Sequence, residues 1–161
     1  MRSLLSLVFS FSFVSCVQAQ NVVSYSKEDS LRVVELLELG AKEMVNEKLS
    51  NGKCLTLFYA NQLMNLPYVG QTLEINGKEE HLAVNLQSLD CTTLVENVCA
   101  LALTTQHGSK SWKDYLSWLQ KLRYDNGKIN GYSSRNHYFS QWIQSGTEQG
   151  LVKEVDRKSV V

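Results

Sequence analysis

The 161-residue chain sets 16 Lys and Arg against 16 Asp and Glu, a balance with no basic footprint for a nucleic-acid partner. Its length suffices for one domain with a real core, and no repeat, low-complexity tract or linker divides it. Past residue 20 no apolar run reaches membrane length.

At the N-terminus, Arg2 precedes an apolar run over residues 4–14 that is too short to span a bilayer. Val17-Gln18-Ala19 then supplies small or modest residues at the −3 and −1 positions of a cleavage site before Gln20. Together these predict a signal peptide over residues 1–19, with 20–161 as part of one exported domain, periplasmic or secreted. Phe13-Val14-Ser15-Cys16 is also a loose lipoprotein box, which makes a lipid anchor at Cys16 the alternative.

Ser26-Lys27-Glu28-Asp29 reads as a capped helix start with acidic residues in the first turn. Leu31, Val34, Leu37, Ala41, Met44 or Val45, and Leu49 follow at helical spacing, and Ser50-Asn51-Gly52 ends the helix. A second helix is expected over residues 54–65, stopped by Pro67. Residues 68–75 and 80–86 read as the arms of a β-hairpin around Asn76-Gly77, with Leu82, Val84 and Leu86 alternating on the second arm. The third helix should span residues 91–104, with Cys91, Val95, Val98 and Ala102 on one face and Gly108-Ser109 as its break. Ser111 caps a fourth helix with Trp112, Tyr115, Leu119 and Leu122 on one side. Asp125-Asn126-Gly127 turns the chain, and a short fifth helix is expected over residues 137–144, ending at Gly146.

Removal of the signal would leave Cys54, Cys91 and Cys99, an odd number that implies at least one free thiol. On one helix, Cys91 and Cys99 would lie ~12 Å apart, beyond the ~7 Å reach of a disulfide. Cys54 could bridge to either. Three thiols with no nearby histidine make a poor zinc site, and no metal or organic cofactor is implied.

Cys91 falls at a helix start in Ser88-Leu89-Asp90-Cys91-Thr92-Thr93-Leu94-Val95-Glu96, where free N–H groups and the helix dipole favour a thiolate. Thr93 and Glu96 also fit a capping box that would start the helix two residues later. Locally, a reactive thiol and a small buried hydrophobe both remain open for Cys91. Cys54 and Cys99, inside apolar stretches, read as core.

Leu66-Pro67-Tyr68-Val69-Gly70 followed by Asp90-Cys91-Thr92 resembles the paired motifs of NlpC-type cell-wall peptidases. The chain is more similar still to one branch, the N-acetylmuramoyl-L-alanine amidase-like family. That likeness rests on residues 66–74 and 85–96, then Leu122-Arg123-Tyr124, Ser134-Arg135-Asn136-His137-Tyr138-Phe139 and Trp142-Ile143. The resemblance implies an α+β, papain-like fold with a helical N-terminal half, the hairpin, and a nucleophile helix packed on a C-terminal sheet. It implies a peptidoglycan hydrolase in which Cys91 attacks the amide between muramic acid and L-alanine, with a histidine as base.

Tyr68 resembles the superfamily tyrosine that helps to hold the oxyanion, unless it is a core-edge aromatic. Arg135, His137, Tyr138 and Glu74 would contact muropeptides. A guanidinium forks carboxylates, although a surface ion pair is the other reading of Arg135. Glu96 is expected at the solvated face or in a cap.

The resemblance puts the base in a C-terminal β-rich half beyond residue 161. His81 is expected to be solvated, His107 precedes the Gly-Ser break, and His137 belongs to a family-like motif. On this basis the chain reads as truncated and monomeric. It is expected to be a poor enzyme alone, with Val95, Val98 and Ala102 exposed where strands should cover them. A non-catalytic peptidoglycan-binding module using Arg135 and the Trp112 and Trp142 region is the rival, as is an inactive gene product.

Overall fold

The computed structural model describes residues 22–45, 52–74 and 79–153, so the expected signal peptide, Asn76-Gly77 and Leu49 lie outside the described residues. Helix α1 spans Lys27–Val45. Ser26 Oγ accepts the Asp29 N–H at 3.0 Å, and Asp29 Oδ2 accepts the Ser26 N–H at 3.0 Å, closing a reciprocal cap. The face turned inward differs from the expected one: Val33, Leu36, Leu37 and Gly40 are buried, while Leu31 and Val45 are exposed. Gly40 helps select this face, because a Cβ there would sit 2.0 Å from Tyr59 Oη on the neighbouring helix.

Helix α2, Gly52–Leu63, buries Leu55, Tyr59 and Leu63 and ends ahead of Pro67. The β-hairpin does not form among the described residues. Instead β2 (Leu82–Ala83) pairs in parallel with β1 (Val23–Ser24). Leu82, Ala83, Val84 and Leu86 are all buried, as suits a strand covered on both faces rather than one with a wet side. Asp29 ties this segment to α1 by accepting the Leu86 N–H at 2.8 Å. Burial alone would raise that carboxyl, but hydrogen bonds from Leu86, Ser26 and Gln87 leave it below its ordinary value.

Among the described residues, helix α3 (Cys91–Gln106) lies at the centre, packed by α1, α2 and α4 (Trp112–Arg123). Val98 and Ala102 are therefore buried, and Val95 is half-buried, contrary to the exposure expected of them. The helix closes at Gly108 (φ 73°), where Gly108 N–H reaches the Thr105 carbonyl and Ser109 N–H that of Thr104. Ser111 caps α4 as expected, with Tyr115, Leu119 and Leu122 inward. Helix α5 covers Phe139–Glu148, running through Gly146 instead of stopping there. Gly146 is a packing glycine: a Cβ would come within 2.8 Å of Val152 Cγ2.

The described residues are thus mostly helical with one small two-stranded sheet, in line with an α+β chain. No helix among them is long and apolar enough to cross a membrane.

Candidate active site at the start of α3

Cys91 is the first residue of α3 and its thiol is free and exposed. The cap is Asp90, whose carboxylate accepts the Thr93 N–H at 2.7 Å while Thr93 Oγ1 accepts the Asp90 N–H at 2.9 Å. The capping box is therefore Asp90 with Thr93, not Thr93 with Glu96. A β-extended Asp90 can turn its side chain back onto the first turn, which settles the helix start at Cys91.

Tyr68 reaches the same place through backbone pairing. It forms a parallel bridge with Leu89, in which Leu89 N–H donates to the Pro67 carbonyl at 3.0 Å and Val69 N–H to the Leu89 carbonyl at 3.2 Å. This register sets Tyr68 two residues from Cys91 across the ladder, and its side chain is 74 % exposed.

Beside the helix start is a cavity of about 190 Å³. Asp90, Thr92, Thr93 and Glu96 of α3 form one wall, Gln71, Leu73 and Glu74 a second, and Arg135, Asn136 and His137 a third. Gln71 adopts a left-handed backbone (φ 62°), an unusual conformation for a side-chain-bearing residue. Arg135 is buried, and its guanidinium already lies on Glu74 at 2.5 Å and near Glu80 at 3.7 Å, over the Tyr132 ring. His137 Nε2 donates to the Tyr132 carbonyl at 2.8 Å, and its ring lies tilted against the Tyr132 ring with centroids 4.0 Å apart. Tyr138 is exposed one residue further on.

Two residues went unrecognised in the sequence, or were given the wrong setting. Glu96 is not solvated: it is 1 % exposed and paired with Arg123, also 1 % exposed, at 2.7 Å. Burial pushes the Glu96 carboxyl up against the pull of Arg123, and Glu96 raises the guanidinium despite its burial. Arg123 followed the apolar stripe of α4 at its last turn, where a surface cation is the usual reading, and nothing local signalled a partner 27 residues upstream.

The other histidines are engaged elsewhere. His81 is not simply solvated: its Nδ1 donates to the Glu79 carbonyl and its Nε2 shares a hydrogen bond with Ser24 Oγ, both at 2.7 Å. His107 caps α3 through the Leu103 carbonyl. Trp142 is 4 % exposed and belongs to the core, which removes it from the ligand surface of the binding-module reading. Cys99 is also a free thiol, and burial with nearby Glu96 pushes it up to about 11.

A family model described as N-acetylmuramoyl-L-alanine amidase-like (AmiA-like) matches residues 59–160, the stretch that holds Tyr68, Cys91 and the whole cavity. The chain belongs to this amidase-like family. Among solved structures, an N-acetylmuramoyl-L-alanine amidase from Bacteroides uniformis ATCC 8492 is 42 % identical, with a TM-score of 0.58 over 62 % of this chain and 41 % of that one. A second structure of that name and source gives 42 % identity and a TM-score of 0.57, over 61 % of this chain and 40 % of that one. A Bacteroides fragilis protein described as a putative xylanase is 40 % identical with a TM-score of 0.57, over 61 % of this chain and 42 % of that one. The chain thus spans about two fifths of the length of these structures. No curated protein matches it.

Proposed function

We propose that the chain works as a cysteine amidase on peptidoglycan, within a papain-like fold of the NlpC type. The observation that carries this reading is the exposed thiol of Cys91 as the first residue of a capped helix, inside the family-matched residues. A thiol there lies at the positive end of the helix, the place where a helix best receives negative charge.

In this reading Cys91 Sγ attacks the carbonyl carbon of the amide joining the muramoyl lactyl group to L-alanine. The carbonyl oxygen becomes an oxyanion, received by first-turn N–H groups and the Tyr68 hydroxyl. Collapse breaks the C–N bond, the L-alanine amine leaves with a proton, and a lactyl thioester remains on Cys91. Water hydrolyses the thioester, releasing the lactyl carboxylate and restoring the thiol. A histidine carries these protons in papain-like enzymes. Turnover by this chain would make His137 the leading candidate, since it lines the cavity beside the helix start.

Glu74, Arg135, His137 and Tyr138 contact the muropeptide. Arg135 meets a stem carboxylate by releasing Glu74, the more exposed of its two partners. The protein works outside the cytoplasm after loss of residues 1–19. N-terminal sequencing of exported protein should begin at Gln20, and a lipidated start at Cys16 would replace this with the anchored form.

Digestion of purified muropeptides, followed by chromatography and mass analysis, tests the chemistry. The expected products are a sugar with a free lactyl carboxylate and a peptide beginning with free L-alanine. Cys91→Ala should abolish turnover, and Tyr68→Phe should lower it about 10²-fold, the scale of one oxyanion donor. Turnover that survives Cys91→Ala sinks the proposal.

A further inference from the structure

We propose that the buried pair Glu96–Arg123 is a positioning device that sets the register of the Cys91 helix against the far wall of the cavity; the inference rests on Cys91 being the nucleophile. A fully buried ion pair contributes little net stability, because apolar residues of similar volume fill such a place as well or better. The reason for this pair therefore lies in geometry.

Arg123 Nε donates to Glu96 Oε2 at 2.7 Å, and its Nη1 donates to the Ala83 carbonyl at 2.5 Å. Its own carbonyl accepts the Asn136 N–H at 2.9 Å. One residue at the end of α4 thus joins α3, β2 and the segment that carries Arg135 and His137. A second buried link acts on the same turns. The Tyr115 hydroxyl donates to Asn97 Oδ1, and Asn97 Nδ2 donates to the Thr93 carbonyl at 2.7 Å. Thr93 in turn closes the Asp90 cap next to Cys91.

Apolar packing is non-directional and tolerates small rotations of a helix about its axis. A planar fork held by a side-chain and a backbone acceptor on two different elements admits one register. Glu96 lies about one and a half turns from Cys91, so a rotation at that position carries the thiol with it. Misplacing a reacting group by ~1 Å can lower turnover about 10²-fold.

The test is the double variant Glu96→Met/Arg123→Met, which keeps the volume roughly and removes both charges and the side-chain bonds from Arg123 to Glu96 and to the Ala83 carbonyl. The expected result is a folded chain with near-native thermal midpoint and KM, and kcat on muropeptides lowered about 10-fold to 100-fold. Arg123→Lys, which keeps the charge without the fork, should lower kcat in the same direction. It decides the matter if the double variant does not fold. Native kcat in either folded variant overturns the positioning role. Turnover indifferent to Cys91→Ala refutes the nucleophile and this inference with it; where the unaltered chain turns over too slowly to measure, an iodoacetamide labelling rate of Cys91 that is unchanged in both folded variants overturns the positioning role. Cys91-dependent turnover indifferent to the pair refutes the inference alone.

Discussion

Two thiols lie on α3 about two turns apart, and the helix treats them oppositely. Cys91, at the capped start, is exposed. Cys99, in the middle, is half-buried against the core, and burial with the Glu96 charge pushes its thiol up to about 11. The residue type is the same, and the environment alone separates them. At the start of the helix the N–H groups have no carbonyl one turn back, and here the Thr93 N–H goes instead to the Asp90 cap, whereas in the middle each is taken by a carbonyl one turn back. The lesson extends to charge. Within the same helix Asp90 caps at the surface while Glu96 is sealed inside with Arg123.

The contrast between the thiols should be easy to break if it is wrong. In native chain at pH 7, iodoacetamide should label Cys91 at least about 100-fold faster than Cys99, because a thiol that titrates near 11 is almost wholly protonated there. Denaturation should level the two rates. Mass mapping of labelled peptides reads this directly, and similar native rates would erase the distinction between helix start and helix middle.

The contrast between the two carboxylates sharpens with single substitutions. Glu96→Ala leaves Arg123 buried and unpaired, and should cost about 3–5 kcal/mol in urea unfolding. Asp90→Ala removes a cap at the surface and should cost about 1 kcal/mol. If the two losses proved equal, Glu96 would not be sealed in the way the geometry has it.

Punctuation was legible in the sequence. Ser26 and Ser111 cap helices where their residue type says they should, Gly108 closes α3, and Pro67 follows the end of α2. Cys91 as the first residue of a helix could be read from Asp90-Cys91-Thr92-Thr93, although the choice of capping pair needed the dihedral angles at Asp90. These features depend on groups within a few residues of each other, so local chemistry determines them.

What the sequence by itself could not decide was how distant segments meet. Alternation over residues 82–86 suggested a hairpin with its neighbour, yet β2 pairs with β1, which lies some sixty residues upstream. Helical spacing in α1 pointed to a stripe through Leu31 and Val34, whereas close approach of Tyr59 at Gly40 favours the face containing Val33 and Leu36. Glu96 and Arg123 each look like ordinary surface charges at their own positions. Only when α4 packs on α3 do they meet, because a buried charge must find its opposite wherever the fold has placed it.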